Sequence, residues 1–114
     1  MLNKEILIKY FEDGITEKGH EKIGTEHEKF VFNKNDYSLI PYRGEQSISA
    51  LLESFIQDDW KPKYEGDNII ALTKENASIT LEPGGQFELS GAPLGTSHET
   101  CREINNHLQF VKSI

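Results

Sequence analysis

Apolar and polar positions alternate along this chain in two different rhythms. Near the start, Leu7 pairs with Phe11 and Ile6 with Tyr10 at a spacing of four. That spacing predicts a short helix over Asn3 to Glu12, with Asn3 as its cap and Asp13-Gly14 as its end. The clearest helical stripe is Ile48, Leu51, Leu52, Phe55 and Ile56, within Ser47 to Gln57. A third helix is predicted from Ser97 to Ile114. Thr96 and Glu99 form its capping box, and Ile104, Leu108 and Val111 form its expected buried stripe. This pattern runs on past Val111 without a glycine or proline stop, which predicts further chain beyond Ile114.

A period of two governs the rest. Lys22 to Phe32 reads as a strand, followed by a turn at Asn33 to Asp36 and a return strand over Tyr37 to Tyr42 that Pro41 interrupts. Trp60 to Tyr64 and Asn68 to Thr73 flank Glu65-Gly66-Asp67, and Lys74-Glu75-Asn76 is the next turn. Ser78 to Glu82 and Gln86 to Ser90 flank Pro83-Gly84-Gly85, a hairpin signal. Strands joined by short turns and interspersed with helices predict an α+β protein, an antiparallel sheet backed by helices. There is no internal repeat and no low-complexity linker.

Composition narrows the partners. The 114 residues carry a formal charge of −7, with 36% hydrophobic and 27% charged residues, an ordinary globular composition. An acidic chain is repelled by phosphate backbones and anionic membranes, so neither nucleic acid nor a membrane is an expected partner. The N-terminal apolar run is too short and too charged for a signal peptide. The single cysteine, Cys101, has no internal disulfide partner, which suits a reducing compartment. It is expected to be buried and inert.

Two segments carry candidate chemistry. In Gly24-Thr25-Glu26-His27-Glu28-Lys29-Phe30, alternation puts Glu26 and Glu28 on one strand face, about 6–7 Å apart at Cα. Side chains so placed converge on one cation or on two adjacent ones. A solvated strand face is the plainer reading of this pair alone. In Leu81-Glu82-Pro83-Gly84-Gly85-Gln86-Phe87-Glu88-Leu89-Ser90, Glu82 and Glu88 flank a tight turn, with Gln86, Glu88 and Ser90 on one face and Phe87 and Leu89 on the other. An ordinary hairpin with polar residues outside also fits. Taken together, the four carboxylates belong on one wall of a small sheet. Crowded acids repel each other unless a cation sits among them, so a divalent-metal site at Glu26, Glu28, Glu82 and Glu88 is expected. Alternation turns His27 away from that wall. The histidine spacings do not form a zinc motif. Arg43 and Arg102 are the only arginines, which leaves few groups for clamping phosphates.

At IGTEHEKF (Ile23 to Phe30), ITLEPGGQFELSGAP (Ile79 to Pro93) and HETCREINNHL (His98 to Leu108), the chain resembles glutamate–cysteine ligases of the plant and proteobacterial type. The resemblance runs over most of the chain but covers only the N-terminal part of such enzymes. It implies a truncated part of one catalytic domain with a glutamine synthetase-like fold, spanning residues 1–114. It also implies ATP, L-glutamate and L-cysteine as substrates and Mg²⁺ as cofactor. In that reaction ATP phosphorylates the glutamate side-chain carboxylate, and the cysteine amine attacks the acyl phosphate, the first step of glutathione synthesis. By the same resemblance Glu26, Glu28, Glu82 and Glu88 line the metal and nucleotide site, with Thr25 and Gln86 as weaker candidates for substrate contacts. The isolated chain is expected to be inactive. Its start, acidic as well as basic, is unlike a transit peptide, so a bacterial cytoplasmic protein is expected. Two alternatives stay open: a carboxylate–amine ligase with a different amine substrate, and a non-catalytic metal- or nucleotide-binding module.

Overall fold

The structure is a computed structural model that describes residues 2–114. Helix α1 (Lys4–Asp13) is capped by Asn3, whose side chain accepts the Ile6 amide. It buries none of its residues. Next come β1 (Glu26–Lys29) and α2 (Ile48–Ser54), which tightens into a 3₁₀ turn at Phe55–Asp58. Strands β2 (Lys61–Glu65), β3 (Asn68–Lys74), β4 (Ala77–Glu82) and β5 (Gln86–Ser90) follow as successive hairpins, and α3 (Ser97–Ser113) closes the order. The strands form one antiparallel sheet, β1-β5-β4-β3-β2. The expected α+β class is therefore what the chain adopts.

The first expected strand is much shorter than Lys22 to Phe32. Only Glu26–Lys29 joins the ladder, while Ile23 and Phe32 make isolated bridges to Leu94 and Leu39. The return strand over Tyr37 to Tyr42 is reduced to that one bridge. Pro41 supplies no ladder donor there, and Tyr37 turns into the left-handed region at φ 58°.

Both α2 and α3 cover one face of the sheet. Leu72, Ile79, Phe87 and Leu89 are buried from the sheet side, and Ile48, Leu52 and Phe55 from the helix side. Phe55 is the hub of this layer. Its ring lies 5.9 Å from Trp60, 5.6 Å from Phe87, 5.9 Å from His107 and 4.6 Å from Phe110. A register shift between Lys63 and Tyr64 accompanies the full burial of Ile69 in the same core, as bulges re-aim side chains.

Helix α3 differs from its expected stripe. Thr100 and His107 are its buried residues, whereas Ile104, Leu108 and Val111 are only half-buried. Cys101, expected inside, is exposed. The reason is geometric: the helix face that meets Phe55 and Phe87 runs through His107 and Phe110, one step round from the aliphatic positions. The capping box forms as expected, with the Thr96 hydroxyl accepting the Glu99 amide and donating to the Glu99 carboxylate. That hydroxyl holds the exposed Glu99 carboxyl below its ordinary range.

Candidate functional site: a carboxylate wall on the open sheet face

Residues directly opposite in an antiparallel ladder share a face, so the registers define the wall. One row reads Glu28, Glu88, Thr80, Ala71, Lys63 across the five strands. The next reads Glu26, Ser90, Ser78, Thr73, Lys61. Glu82 and Gln86 face each other at the mouth of the β4–β5 hairpin, on the same side. The row lying between the first two, His27, Leu89, Ile79, Leu72 and Pro62, belongs to the covered face. Glu26, Glu28, Glu82 and Glu88 thus share the face opposite α2 and α3, with hydroxyls between them and the two lysines of β2 at the far edge.

Glu88 is the centre of this arrangement. It stands opposite Glu28, at a Cβ spacing of about 4.5–5.5 Å, and diagonal to Glu26 and Glu82, at about 7–8 Å. Glu26 and Glu82 are two strands and four residues apart, about 16 Å, so no single ion joins all four. The hairpin turn keeps Glu82 beside this centre. Gly84 and Gly85 both take positive φ, 80° and 77°, and the Gly85 amide closes on the Glu82 carbonyl at 3.0 Å. Side chains other than glycine resist that geometry.

Glu88 is also the most buried of the four, at 8% exposure. Its Oε1 accepts the Ser90 hydroxyl at 2.7 Å. Among the described residues no Lys, Arg or His lies within ion-pair distance of it. The buried Glu88 carboxylate, with the exposed Glu28 opposite it across the ladder and the Ser90 hydroxyl as its hydrogen-bond partner, presents oxygen donors that a divalent cation could use. The donors are all hard oxygens, the kind Mg²⁺ prefers. Among the described residues no three His, Cys, Asp or Glu side chains converge as a metal-holding group. Mg²⁺ is usually held by one or two carboxylates, with water and substrate phosphates completing its shell, and the Glu28–Glu88 pair fits that requirement.

Of the weaker candidates, Gln86 lies on the wall and Thr25 does not. Alternation places Thr25 with His27, and its hydroxyl is buried with no hydrogen-bond partner. Three further residues shape the local order without a motif to announce them. Ser90, two residues beyond Glu88, orients its carboxylate. Glu103 reaches from α3 to accept the Ala92 amide at 2.8 Å. His107 is stacked 5.7 Å from the Phe87 ring at an angle of 11°. Its place three residues before Phe110 and seven after Thr100 is the only sequence signal for that burial.

Burial, with Lys29 and His27 nearby, pushes the His107 pKa down from 6.5 to about 4. Burial likewise lowers Lys29. The unfolded chain therefore takes up the His107 proton near pH 6.5, before the folded chain does. Stability is complete above that pH, falls as pH drops toward about 4, and levels off below. Denaturant midpoints measured across this window should decline with acid, and His107→Gln should flatten the decline.

The fold and wall define an α+β protein with one helix-covered sheet face and one open face rich in carboxylates. Residues 22–114 match the model of glutamate-cysteine ligase family 2 (GCS2), and the chain belongs to that family. It is 53% identical to a chloroplastic glutamate–cysteine ligase of Medicago truncatula, 51% to one of Nicotiana tabacum and 49% to one of Arabidopsis thaliana. Each match covers 99% of this chain but only 22%, 21% and 21% of the relative, so the chain spans about a fifth of their length. The relatives' chloroplast location overturns the expectation of a bacterial cytoplasmic protein. The acidic start behind that expectation is a poor guide, because a targeting segment says nothing about the composition of the domain behind it. Among the described residues no helix is long and apolar enough to cross a membrane.

Proposed function

We propose that this chain supplies the metal- and nucleotide-facing wall of an ATP-dependent glutamate–cysteine ligase, as the N-terminal part of a longer catalytic domain. The observation that supports it most is the placing of Glu88, buried and directly opposite the exposed Glu28 in the ladder, with no cationic neighbour among the described residues. A Mg²⁺ held by Glu28 and Glu88 would offset the charge on the phosphates, which is most of what phosphoryl transfer asks of its surroundings.

Glu28 and Glu88 are the residues assigned to hold the ion, with Glu26 and Glu82 at either end. Ser90 fixes the direction of the Glu88 carboxylate. Gln86, Ser78 and Thr80 offer neutral polar groups to the substrates between the charged ends. In the reaction assigned, the glutamate γ-carboxylate attacks the terminal phosphorus of ATP and ADP leaves. The cysteine amine then attacks the acyl phosphate carbon, phosphate leaves with the bonding pair, and the amine loses its proton. L-glutamate, L-cysteine and ATP are the partners, and the plastid is the compartment.

A second observation supports the longer domain. Ile6, Leu7, Ile8 and Phe11 of α1, together with Phe30, Phe32 and Leu39, stand exposed. Apolar surface on that scale is normally covered, and a polypeptide of the relatives' length has the material to cover it. The isolated chain is accordingly expected to turn over no substrate.

The test is a chimera in which this chain replaces the matching stretch of the Medicago truncatula enzyme. It should form γ-glutamylcysteine in an ATP- and Mg²⁺-dependent manner. A folded chimera that is inactive beside an active parent contradicts the proposal. Activity with another amine, but none with cysteine, contradicts the amine substrate assigned here.

A further inference from the structure

We propose that Glu103 is a positioning residue for the carboxylate wall, acting from the covered side of the sheet through the backbone at the end of β5. This rests on the reading that the wall holds a divalent cation. Glu103 lies on α3, behind the sheet, and touches none of the four carboxylates named above. Its Oε1 accepts the amide of Ala92 at 2.8 Å. Its Oε2 is buried without a hydrogen-bond partner and packs against Gly91. A Cβ at Gly91 would collide with that carboxylate and sit 3.1 Å from the Thr25 carbonyl oxygen.

The same two residues are tied to β1. The Gly91 amide donates to the Thr25 carbonyl at 2.7 Å. Gly91 and Ala92 are thus held by α3 on one side and by the lead into β1 on the other. The residue just before them is Ser90. Its side chain emerges on the open face, opposite Glu26, and donates to Glu88 Oε1 at 2.7 Å. The path is short: Glu103 to Ala92, along the backbone to Ser90, and from the Ser90 hydroxyl to Glu88. Loosening the β5 end would move the Ser90 hydroxyl relative to the Glu88 carboxylate that it orients.

A purely structural Glu103 would anchor α3 and nothing more. The two roles differ in what they move. Outer partners that orient metal-binding groups commonly affect affinity by about 10- to 100-fold, whereas loss of an anchor lowers the melting temperature and leaves affinity in the folded protein unchanged.

The experiment measures Mn²⁺ binding to the full 114-residue chain by electron paramagnetic resonance. Each variant is held well below its own melting temperature, as fixed by circular dichroism. Glu103→Ala should weaken Mn²⁺ binding by about 10-fold, and Glu103→Gln, which keeps the acceptor for Ala92, should restore it to within about twofold of wild type. Should Glu103→Ala fail to fold, Glu103→Asp takes its place, since its shorter side chain withdraws the acceptor and keeps the charge. A folded Glu103→Ala or Glu103→Asp that binds Mn²⁺ like wild type overturns the inference. If Glu88→Gln still weakens binding in that case, the cation wall stands and only the role of Glu103 falls. A wild-type chain that does not bind Mn²⁺ overturns both.

Discussion

Glu88→Gln, introduced into the chimeric enzyme that carries this segment, should lower kcat/KM by on the order of 100-fold or more. Glutamine has the shape of glutamate and keeps an oxygen for the Ser90 hydroxyl, so the fold should lose little. It lacks the charge, and charge is what the position contributes. Glu88 sits opposite Glu28 and diagonal to Glu26 and Glu82, so no other residue of the wall is near all three of its fellows. Glu26→Gln and Glu82→Gln, at opposite ends about 16 Å apart, should each cost less than Glu88→Gln. Steady-state assays at several Mg²⁺ concentrations check this ranking. The Glu88 defect should shrink partly as Mg²⁺ is raised, because weaker ion binding is overcome by mass action.

Phe55→Ala should destabilise the chain by about 3–5 kcal/mol. The side chain is buried to 1% exposure and touches four rings that come from three separate parts of the fold. Trp60 leads into the sheet, Phe87 is in its centre, and His107 and Phe110 belong to α3. Removing one ring leaves a cavity that none of these can fill without losing its own contacts. A chain of this size has about 5–15 kcal/mol to lose, so the melting temperature should fall by more than about 10 °C. Thermal circular dichroism measures it. Leu51→Ala, on the same helix but half-buried, should cost less.

Much of the fold and wall is legible in the sequence, for local reasons. The pairings β2–β3, β3–β4 and β4–β5 join neighbours through short turns rich in glycine, asparagine and acidic residues, and those turns are written in the chain. Alternation along each strand then fixes which residues share a face. It is enough to put Glu26 with Glu28, and Gln86 with Glu88, on common faces. The pairing of β1 with β5 is not legible. It joins residues some 60 positions apart, and no turn encodes it. That non-local pairing makes Glu88 the centre of the wall and puts Glu28 rather than Glu82 directly against it.

The departures from the expected pattern have a common cause as well. The aliphatic residues of α3 point to one face, but its buried face runs through His107 and Phe110 because the partner surface is aromatic. A histidine packed against both Phe55 and Phe87 has no signature in a pattern that counts only apolar residues. Glu103 is silent for a similar reason: its value lies in a contact with the backbone of Ala92, which side-chain patterns do not record. Lys61 and Lys63 share the wall's face only by virtue of three successive registers. Counting arginines alone therefore underestimates the cations available there.

The most direct test of the cation wall is a Mn²⁺ titration of the 114-residue chain, wild type against a Glu28→Gln, Glu88→Gln double variant, with circular dichroism confirming the fold of both. Saturable binding to wild type that is lost in the double variant is the predicted result. No saturable binding to the wild-type chain, or equal binding by both proteins, would contradict it.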